Sequence, residues 1–349
     1  MSAFNPSLGE ETVLKNIVVC TCAVISLVVA LTSNVALAQP QPIPIRIGWQ
    51  PDANGVFFVA QKHKLFEKVG LQPTYFKFLS GPAMFSAMQS KSIDVSEFAV
   101  SPFVAGVANG VPMVAISVAF NEGKVNALVA RPGTNIKSIA DLRGKKVAAT
   151  KGSLSYLGLA RALHRNKMSF DDIEYLNMPV PQIIPAFRHG DIDAAWAWEP
   201  WAQRMAADGG QIIATLDDIV GDLWAAHKDW LKEQPEAAVR FIEAMDLAAQ
   251  MIRKDPELTT ADIAEALAIP LTMAREIMSK VESPTVREQL DPKSNNSVMH
   301  FSAGDKGLAA SIKATADFFL QQGIIKSFPA ISAVFDPAPI MTYAKRPKP

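Results

Sequence analysis

The sequence predicts an α/β protein made of two consecutive units and a helical C-terminal part. Three observations predict it. Short apolar strands alternate with helical patterns between residues 45 and 118. The alternation starts again after Arg131-Pro132-Gly133, and from Pro235 onward the apolar residues keep helical spacing alone. A strand–helix–strand cadence is that of a parallel sheet with crossover helices, and 349 residues suffice for two such domains.

In the first unit, residues 45–49 read as a strand, 56–66 as a helix stopped at Gly70, and 74–78 as a second strand. Residues 82–89 read as a helix, 93–98 as a strand, 102–109 as a helix with Gly110 beyond it, and 113–118 as a strand. In the second unit the expected strands are 145–149, 173–176, 194–198 and 212–214. The helices between them are 156–165, a short one at 183–187 ended by His189-Gly190, and 200–207 ended by Gly209-Gly210. In the C-terminal part, Val239, Ile242, Met245, Ala249 and Ile252 form one helical stripe, and 272–280 and 306–322 read likewise.

The first 40 residues differ from the rest. Residues 17–31 are almost wholly apolar, and Ala36-Leu37-Ala38 before Gln39-Pro40 is a small-x-small cleavage signal, the layout of a secretory signal peptide over residues 1–38. The run is about 15 residues, short for the alternative of an uncleaved membrane anchor. Glu10 and Glu11 stand against Lys15 where a basic segment is expected, and a translation start near Val13 or Leu14 would remove both. Cys20 and Cys22 lie inside the run, not at its end, so a lipoprotein is not expected. Cleavage after Ala38 leaves 349 − 38 = 311 residues without cysteine, which excludes disulfides and thiolate chemistry. A periplasmic protein is expected. The balance of 34 Lys+Arg against 34 Asp+Glu lacks the basic footprint of a nucleic-acid binder.

Three places share one design, in which a strand ends, a small polar residue follows and a helix begins: Leu79-Ser80-Gly81-Pro82, Val100-Ser101-Pro102 and Lys151-Gly152-Ser153. Ser and Gly suit the N-cap and Pro the first helical position. A helix N-terminus presents free N–H groups and partial positive charge, so it can hold an anion. Plain capping explains any one of them; the three together, with an export signal, point to an anion site made by Ser80, Gly81, Ser101 and Ser153. Two further strand ends carry polar groups. One is Trp49-Gln50-Pro51-Asp52. The other is Trp196-Ala197-Trp198-Glu199-Pro200, where alternation puts Trp196 and Trp198 on one face. Glu199 can face a ligand, serve a hinge or cap the next helix. The five histidines show no metal spacing, and neither a Gly-x-Ser-x-Gly elbow nor a phosphate loop is present. No catalytic residue, metal or cofactor is expected.

Several runs resemble the substrate-binding proteins of transporters for taurine, aliphatic sulfonates and nitrate, the taurine-binding branch most of all. They are Lys77-Phe78-Leu79-Ser80-Gly81, Ser101-Pro102, Gly110-Val111-Pro112, residues 139–148, residues 188–200 and residues 316–323. The resemblance spans about residues 44 to 330. It implies a type II periplasmic-binding-protein fold, two α/β lobes with the ligand cleft between them and two crossing hinge strands near 127–131 and 223–228. Lobe 1 would take 44–130 plus 223–340, and lobe 2 131–222. It implies a monomeric receptor for a small anionic solute, working with an ABC permease and its ATPase. Carried over, the site holds Gln50, Ser80, Gly81, Ser101, Asn126, Ser153, Trp198 and Asp222, with Asp222 suited to an ammonium; Asp52 and Glu199 join them from the strand ends. Val100-Ser101-Pro102 departs from the family's Ser-Ser-Pro, and the second crossing reads Leu-Trp-Ala-Ala-His where a β-branched strand is usual. A nitrate or pyrimidine receptor, a sensor docking on a signalling partner, and an enzyme like the thiamine pyrimidine-precursor synthases remain as alternatives; the last uses a cysteine cluster. Mass spectrometry of a periplasmic fraction is expected to find a chain starting at Gln39, and a full-length cytoplasmic product would overturn export.

Overall fold

The computed structural model describes residues 41–121, 126–216, 221–299 and 307–347; the expected leader, its cysteines and its cleavage site lie outside them. The strands in chain order are β1 Ile43–Trp49, β2 Leu71–Lys77, β3 Val95–Ala99, β4 Met113–Phe120, β5 Asn126–Ala130, β6 Lys146–Ala149, β7 Glu174–Asn177, β8 Ala194–Trp198, β9 Gln211–Thr215 and β10 Asp222–His227. They make two five-stranded sheets with one plan, β2-β1-β3-β10-β4 and β7-β6-β8-β5-β9. β1 runs parallel to β2 and β3, and β6 parallel to β7 and β8. In the same slot of each sheet sits one antiparallel strand, β10 between β3 and β4, and β5 between β8 and β9. The strand pattern expected in each unit is therefore present; the second sheet takes the consecutive strands β5 to β9, and the first takes β10 from beyond it.

That pairing corrects the expected crossings. The stretches 127–131 and 223–228 do not link the sheets: β5 pairs over its whole length in the second sheet and β10 in the first. The chain changes sheet between Phe120 and Asn126 and again between Thr215 and Asp222. Residues 126–130 thus pair with the second sheet, not with the lobe assigned to 44–130, and Asp222 pairs in the first. Backbone hydrogen bonding favours this outcome, because an inserted central strand satisfies both of its edges.

The helices that matter below are α1 Gly55–Lys62, α2 Val100–Ala108, α3 Leu154–Arg165, α4 Trp201–Ala207, α5 Pro235–Lys254, α6 Pro256–Leu267, α7 Leu271–Met278 and α8 Leu308–Gln321. The helix expected over 56–66 is broken: α1 stops at Lys62, and Lys64 adopts the left-handed conformation before a short helix at Leu65–Lys68. Every residue of β3 and β10 is buried, as in a strand covered on both faces. Trp224 of β10 packs edge-on against Phe241 of α5, ring centroids 4.9 Å apart, and against Phe57 of α1 at 6.1 Å. The α5 stripe buries Val239, Ile242, Met245 and Ala249, and the helix packs on α1. Among the described residues no helix is long and apolar enough to cross a membrane.

In the second sheet Trp196 and Trp198 part company. Trp196 packs in the cluster that includes Leu154 and Leu157 of α3, while Trp198 joins Ala195 and Ala197 in the cluster on the other side. Alternation put both rings on one face; Trp198 ends its strand, where the pleat no longer directs the side chain. The Trp196 ring lies against Gly158 of α3, where an added Cβ would come within 2.5 Å of its Cε2. Gly158→Ala is therefore expected to destabilise the fold by about 1–3 kcal/mol, the range for overpacking a core. Urea unfolding that matches the wild type would show that the ring can move away.

Candidate functional site

Ligands of open α/β sheets bind beyond the carboxyl ends of the parallel strands. Here the two sheets bring those ends together. Gly81, which opens the 3-10 turn Gly81–Met84 after β2, lies against Pro102 of α2, where a Cβ would stand 2.6 Å from the Pro102 ring. Gly152, with φ +79°, lies against Pro82 across the gap, where a Cβ would be 3.4 Å from the ring. Helices α2 and α3 are neighbours. The three helix starts read from the sequence therefore meet at one place, two from the first lobe and one from the second.

Their hydroxyls are not equivalent. Ser80 caps the turn at Gly81 only by its backbone, with no side-chain cap bond. Ser101 is not the N-cap that its sequence context suggested: Ala99 holds that position, and Ser101 is the second residue of α2. Its Oγ is fully buried and has no partner among the described residues. Ser153 is the N-cap of α3; its Oγ accepts from the N–H of Tyr156 at 3.4 Å and donates to the carbonyl of Thr150 at 2.7 Å. Its hydroxyl is thus engaged within its own turn. Ser155, which the sequence reading passed over, takes the place in α3 that Ser101 takes in α2, second in the helix and fully buried with a partnerless Oγ.

At the foot of the first lobe, carboxylates gather. Asp52, in the loop after β1, receives the N–H of Asn54 on Oδ1 at 3.0 Å, and Asn54 in turn caps α1 by accepting from the N–H of Phe57. Beside it stand Gln50, Glu97 of β3 and Asp222 of β10, all buried. Glu97 was not singled out in the sequence. The register sets Trp224 opposite Glu97 and Asp222 opposite Ala99, so Glu97 and Asp222 share a sheet face. Burial, and then the charges of Asp52 and Asp222, hold the Glu97 carboxyl well above its usual range. Burial pushes Asp52 up to about 6, against hydrogen bonds from Glu97, Asn54 and Gln50. Of the two acids, Glu97 is the one that burial and like charge push furthest toward the neutral form. Among the described residues no group of three His, Cys, Asp or Glu side chains could hold a metal ion.

On the second lobe, Asn126 is fully buried and accepts the indole N–H of Trp196 at 2.7 Å. The Trp198 indole N–H is buried without a partner among the described residues. Glu199 follows it and accepts the N–H of Gln203 at 2.8 Å, so of its three possible roles the capping of α4 is the one the structure displays. Burial pushes it up to about 7. The two lobes also touch away from the helix starts. Gln203 of α4 donates to Glu276 of α7 at 2.6 Å, and the His164 ring of α3 meets Phe318 of α8 edge-on at 6.1 Å.

A family model described as NMT1/THI5 like matches residues 53–259. The chain belongs to the NMT1/THI5-like family. Among relatives of this family member, a protein of Escherichia coli (strain K12) named a putative aliphatic sulfonates-binding protein is 26% identical over 293 residues, which is 82% of this chain and 87% of that one. The taurine-binding periplasmic protein of the same strain is 28% identical over 228 residues, covering 63% and 70%. The alkanesulfonate-binding protein SsuA from Xanthomonas axonopodis pv. citri, solved bound to MOPS, superposes with a TM-score of 0.73 at 20% identity over 85% of this chain and 99% of that one. The fold is the two-lobed type II periplasmic-binding-protein fold.

Asp52, Glu97 and Glu199 hold protons more tightly folded than unfolded. Their contribution to stability is whole below their unfolded range, near pH 4, and is lost as pH rises through the folded values. Thermal melts without ligand are expected to fall from pH 5 to pH 8, and Glu199→Gln, which keeps the cap acceptor, to flatten part of that fall. A melting temperature that climbs over this interval would contradict the burial of these acids.

Proposed function

We propose that this chain is the periplasmic solute-binding receptor of an ABC importer, and that it closes its lobes on a small sulfonate and hands it to a permease without chemical change. The observation that carries the reading is the donor set at the meeting of the lobes. The buried hydroxyls of Ser101 and Ser155, without partners among the described residues, sit in the first turns of two neighbouring helices from opposite lobes. A sulfonate offers three acceptor oxygens to such donors, and the helix starts favour its charge. The partnerless indole N–H of Trp198 on the second lobe supplies a further donor. The named sulfonate- and taurine-binding relatives support the same class of ligand. The synthase-like reading needs a cysteine cluster, and the only cysteines are Cys20 and Cys22.

A thermal-shift panel of taurine, ethanesulfonate, nitrate and a pyrimidine tests the class, since a ligand stabilises the folded state by RT ln(1 + [L]/Kd). Stabilisation by a sulfonate is expected; stabilisation by nitrate or the pyrimidine alone would overturn the reading. Hydrogen bonds to a charged group contribute about 1.5–3 kcal/mol, so Ser101→Ala and Ser155→Ala are each expected to weaken sulfonate binding by about tenfold or more. Ser153→Ala is expected to lower stability by about 1 kcal/mol, as for a lost N-cap, with affinity almost unchanged. Lys151, whose side chain is exposed, is expected to tolerate Met. Lost binding in Lys151→Met with normal binding in both serine variants would assign the anion to a side-chain cation.

A further inference from the structure

A cavity of about 680 Å³ lies on the first lobe, bounded by the end of α5, the start of α6, the end of α7 and the stretches 281–284 and 294–296. None of its lining residues belongs to the cleft described above. Its volume is that of a small-molecule pocket. The wall is apolar at Ile263 and Met278 and polar at Asn296, which is 7% exposed. Asn296 donates from Nδ2 to Oε2 of Glu282 at 2.8 Å, so the other end of its amide is the carbonyl. That carbonyl oxygen is buried with no donor among the described residues, and the Ser283 hydroxyl on the same wall is buried without a partner as well. Buried polar atoms left in this state cost free energy that a bound group with donors can recover. The charges of the lining are unequal too. Arg275 holds Glu257 by two contacts of 2.8 and 3.0 Å, and Arg253 pairs with Glu288. Glu282 is the one acid of this wall that pairs with no cation among the described residues. The cavity thus combines an apolar surface, a spare buried acceptor and one uncompensated negative charge.

The walls of this cavity are also where the lobes are joined. The backbone of Glu282 exchanges two hydrogen bonds with Asn121, receiving its N–H at 2.8 Å and donating to its carbonyl at 3.1 Å. Asn121 is the first residue after β4 on the passage to the second sheet. The Gln289 side chain does the same for Val118, accepting its N–H at 2.9 Å and donating to its carbonyl at 3.3 Å. The segment 282–289 is therefore fastened along the outer edge of β4, the end strand of its sheet, while Glu282 and Ser283 line the cavity. Helix α7 contributes Arg275 and Met278 to the cavity and also carries Glu276, the acceptor of Gln203 from the second lobe. We propose that this cavity is a second site, for a small organic cation with an apolar chain, and that its occupant favours the closed pair of lobes. Glu282 and the Asn296 carbonyl hold the charged head, and Ile263 and Met278 meet the chain. Filling the cavity keeps segment 282–289 and α7 in the places where both connections between the lobes are made. Only the link to closure rests on the receptor reading above; the site itself does not.

Saturation-transfer NMR of the full chain at pH 7 with pentylammonium, pentan-1-ol and pentanoate tests the site. Pentylammonium is expected to bind, the alcohol of the same length about tenfold more weakly, and the carboxylate not at all. Glu282→Gln, an exposed change that keeps an acceptor for Asn296, is expected to weaken pentylammonium about tenfold, and Asn296→Leu to do likewise. The first variant carries the test even if the second misfolds. Glu97→Gln is expected to leave pentylammonium binding as it is. Loss of binding in Glu97→Gln with normal binding in Glu282→Gln would move the amine to the cleft and overturn the inference, as would equal binding of all three probes or of none. The link to closure is read by calorimetry. Saturating pentylammonium, against sodium chloride at equal ionic strength, is expected to tighten ethanesulfonate binding about threefold or more in the wild type and not in Glu282→Gln, and ethanesulfonate to tighten pentylammonium by the same factor. An unchanged ethanesulfonate affinity would overturn the link. If ethanesulfonate does not bind at all, the sulfonate reading falls, and pentylammonium binding that Glu282→Gln weakens still upholds the second site.

Discussion

The site depends on β10 being held antiparallel between β3 and β4. This strand arrives from the far side of the second sheet, and its pairing with β3 over Asp222–Ala226 fixes where Asp222 stands relative to Glu97. The same pairing presses Trp224 into the aromatic group with Phe57 and Phe241, which seats α1 and α5 on the sheet. Displacing β10 would strip both edges of their hydrogen bonds, bare a Trp and scatter the carboxylates in one step. The β1–α1 loop is tied to the same frame, since Asp52 receives the N–H of Asn54 while Asn54 caps α1. β5 does the corresponding work in the second sheet, where it carries Asn126 to the Trp196 indole.

The strand–helix cadence was legible because each parallel strand is short, apolar and followed by a polar or glycine-rich turn. The two antiparallel strands, β5 and β10, were harder to place. Leu-Trp-Ala-Ala-His and Ala-Leu-Val-Ala read as strands, yet nothing local says which sheet will take them, since that is decided by pairing with residues far away in the chain. The helix starts at Gly81, Ser101 and Ser153 were found from their capping chemistry. Capping chemistry, though, could not say which hydroxyl would remain available. Ser153 engages its own turn, whereas Ser101 and Ser155 sit two residues beyond their caps and keep their hydroxyls without a partner among the described residues. Glu97 had a signal that could have been used: an acid at the centre of Val-Ser-Glu-Phe-Ala, in a strand with every residue buried. A charge-bearing residue in such a run needs a reason, and here no structural cation supplies one.

The interior of the cleft is polar at both ends with opposite demands. The Ser101 and Ser155 hydroxyls, one from each lobe, lie in the helix starts, and buried acceptors of Gln50, Asp52 and Glu97 lie in the first lobe, without partners among the described residues. A molecule that satisfies both ends touches both lobes, so its own length measures the gap. That arrangement ties recognition to closure, because neither lobe alone offers the full complement of groups. Protonation has a place in the same balance, since burial and the charges of Asp52 and Asp222 push Glu97 toward its neutral form.

The approach of Gly152 to Pro82, close enough that one added carbon would touch the ring, bears on time as well as on shape. Where the rims of the lobes approach so closely, the way out for a molecule behind them is narrow, however weakly it is held. Its escape then waits on the parting of the lobes, a motion resisted by the Gln203–Glu276 bond and the His164–Phe318 contact, neither of which involves a cleft residue. In the proposed receptor, residence time and selectivity would then be written in different residues. Loosening the outer contacts would quicken exchange for every ligand alike, without altering which ligand is preferred.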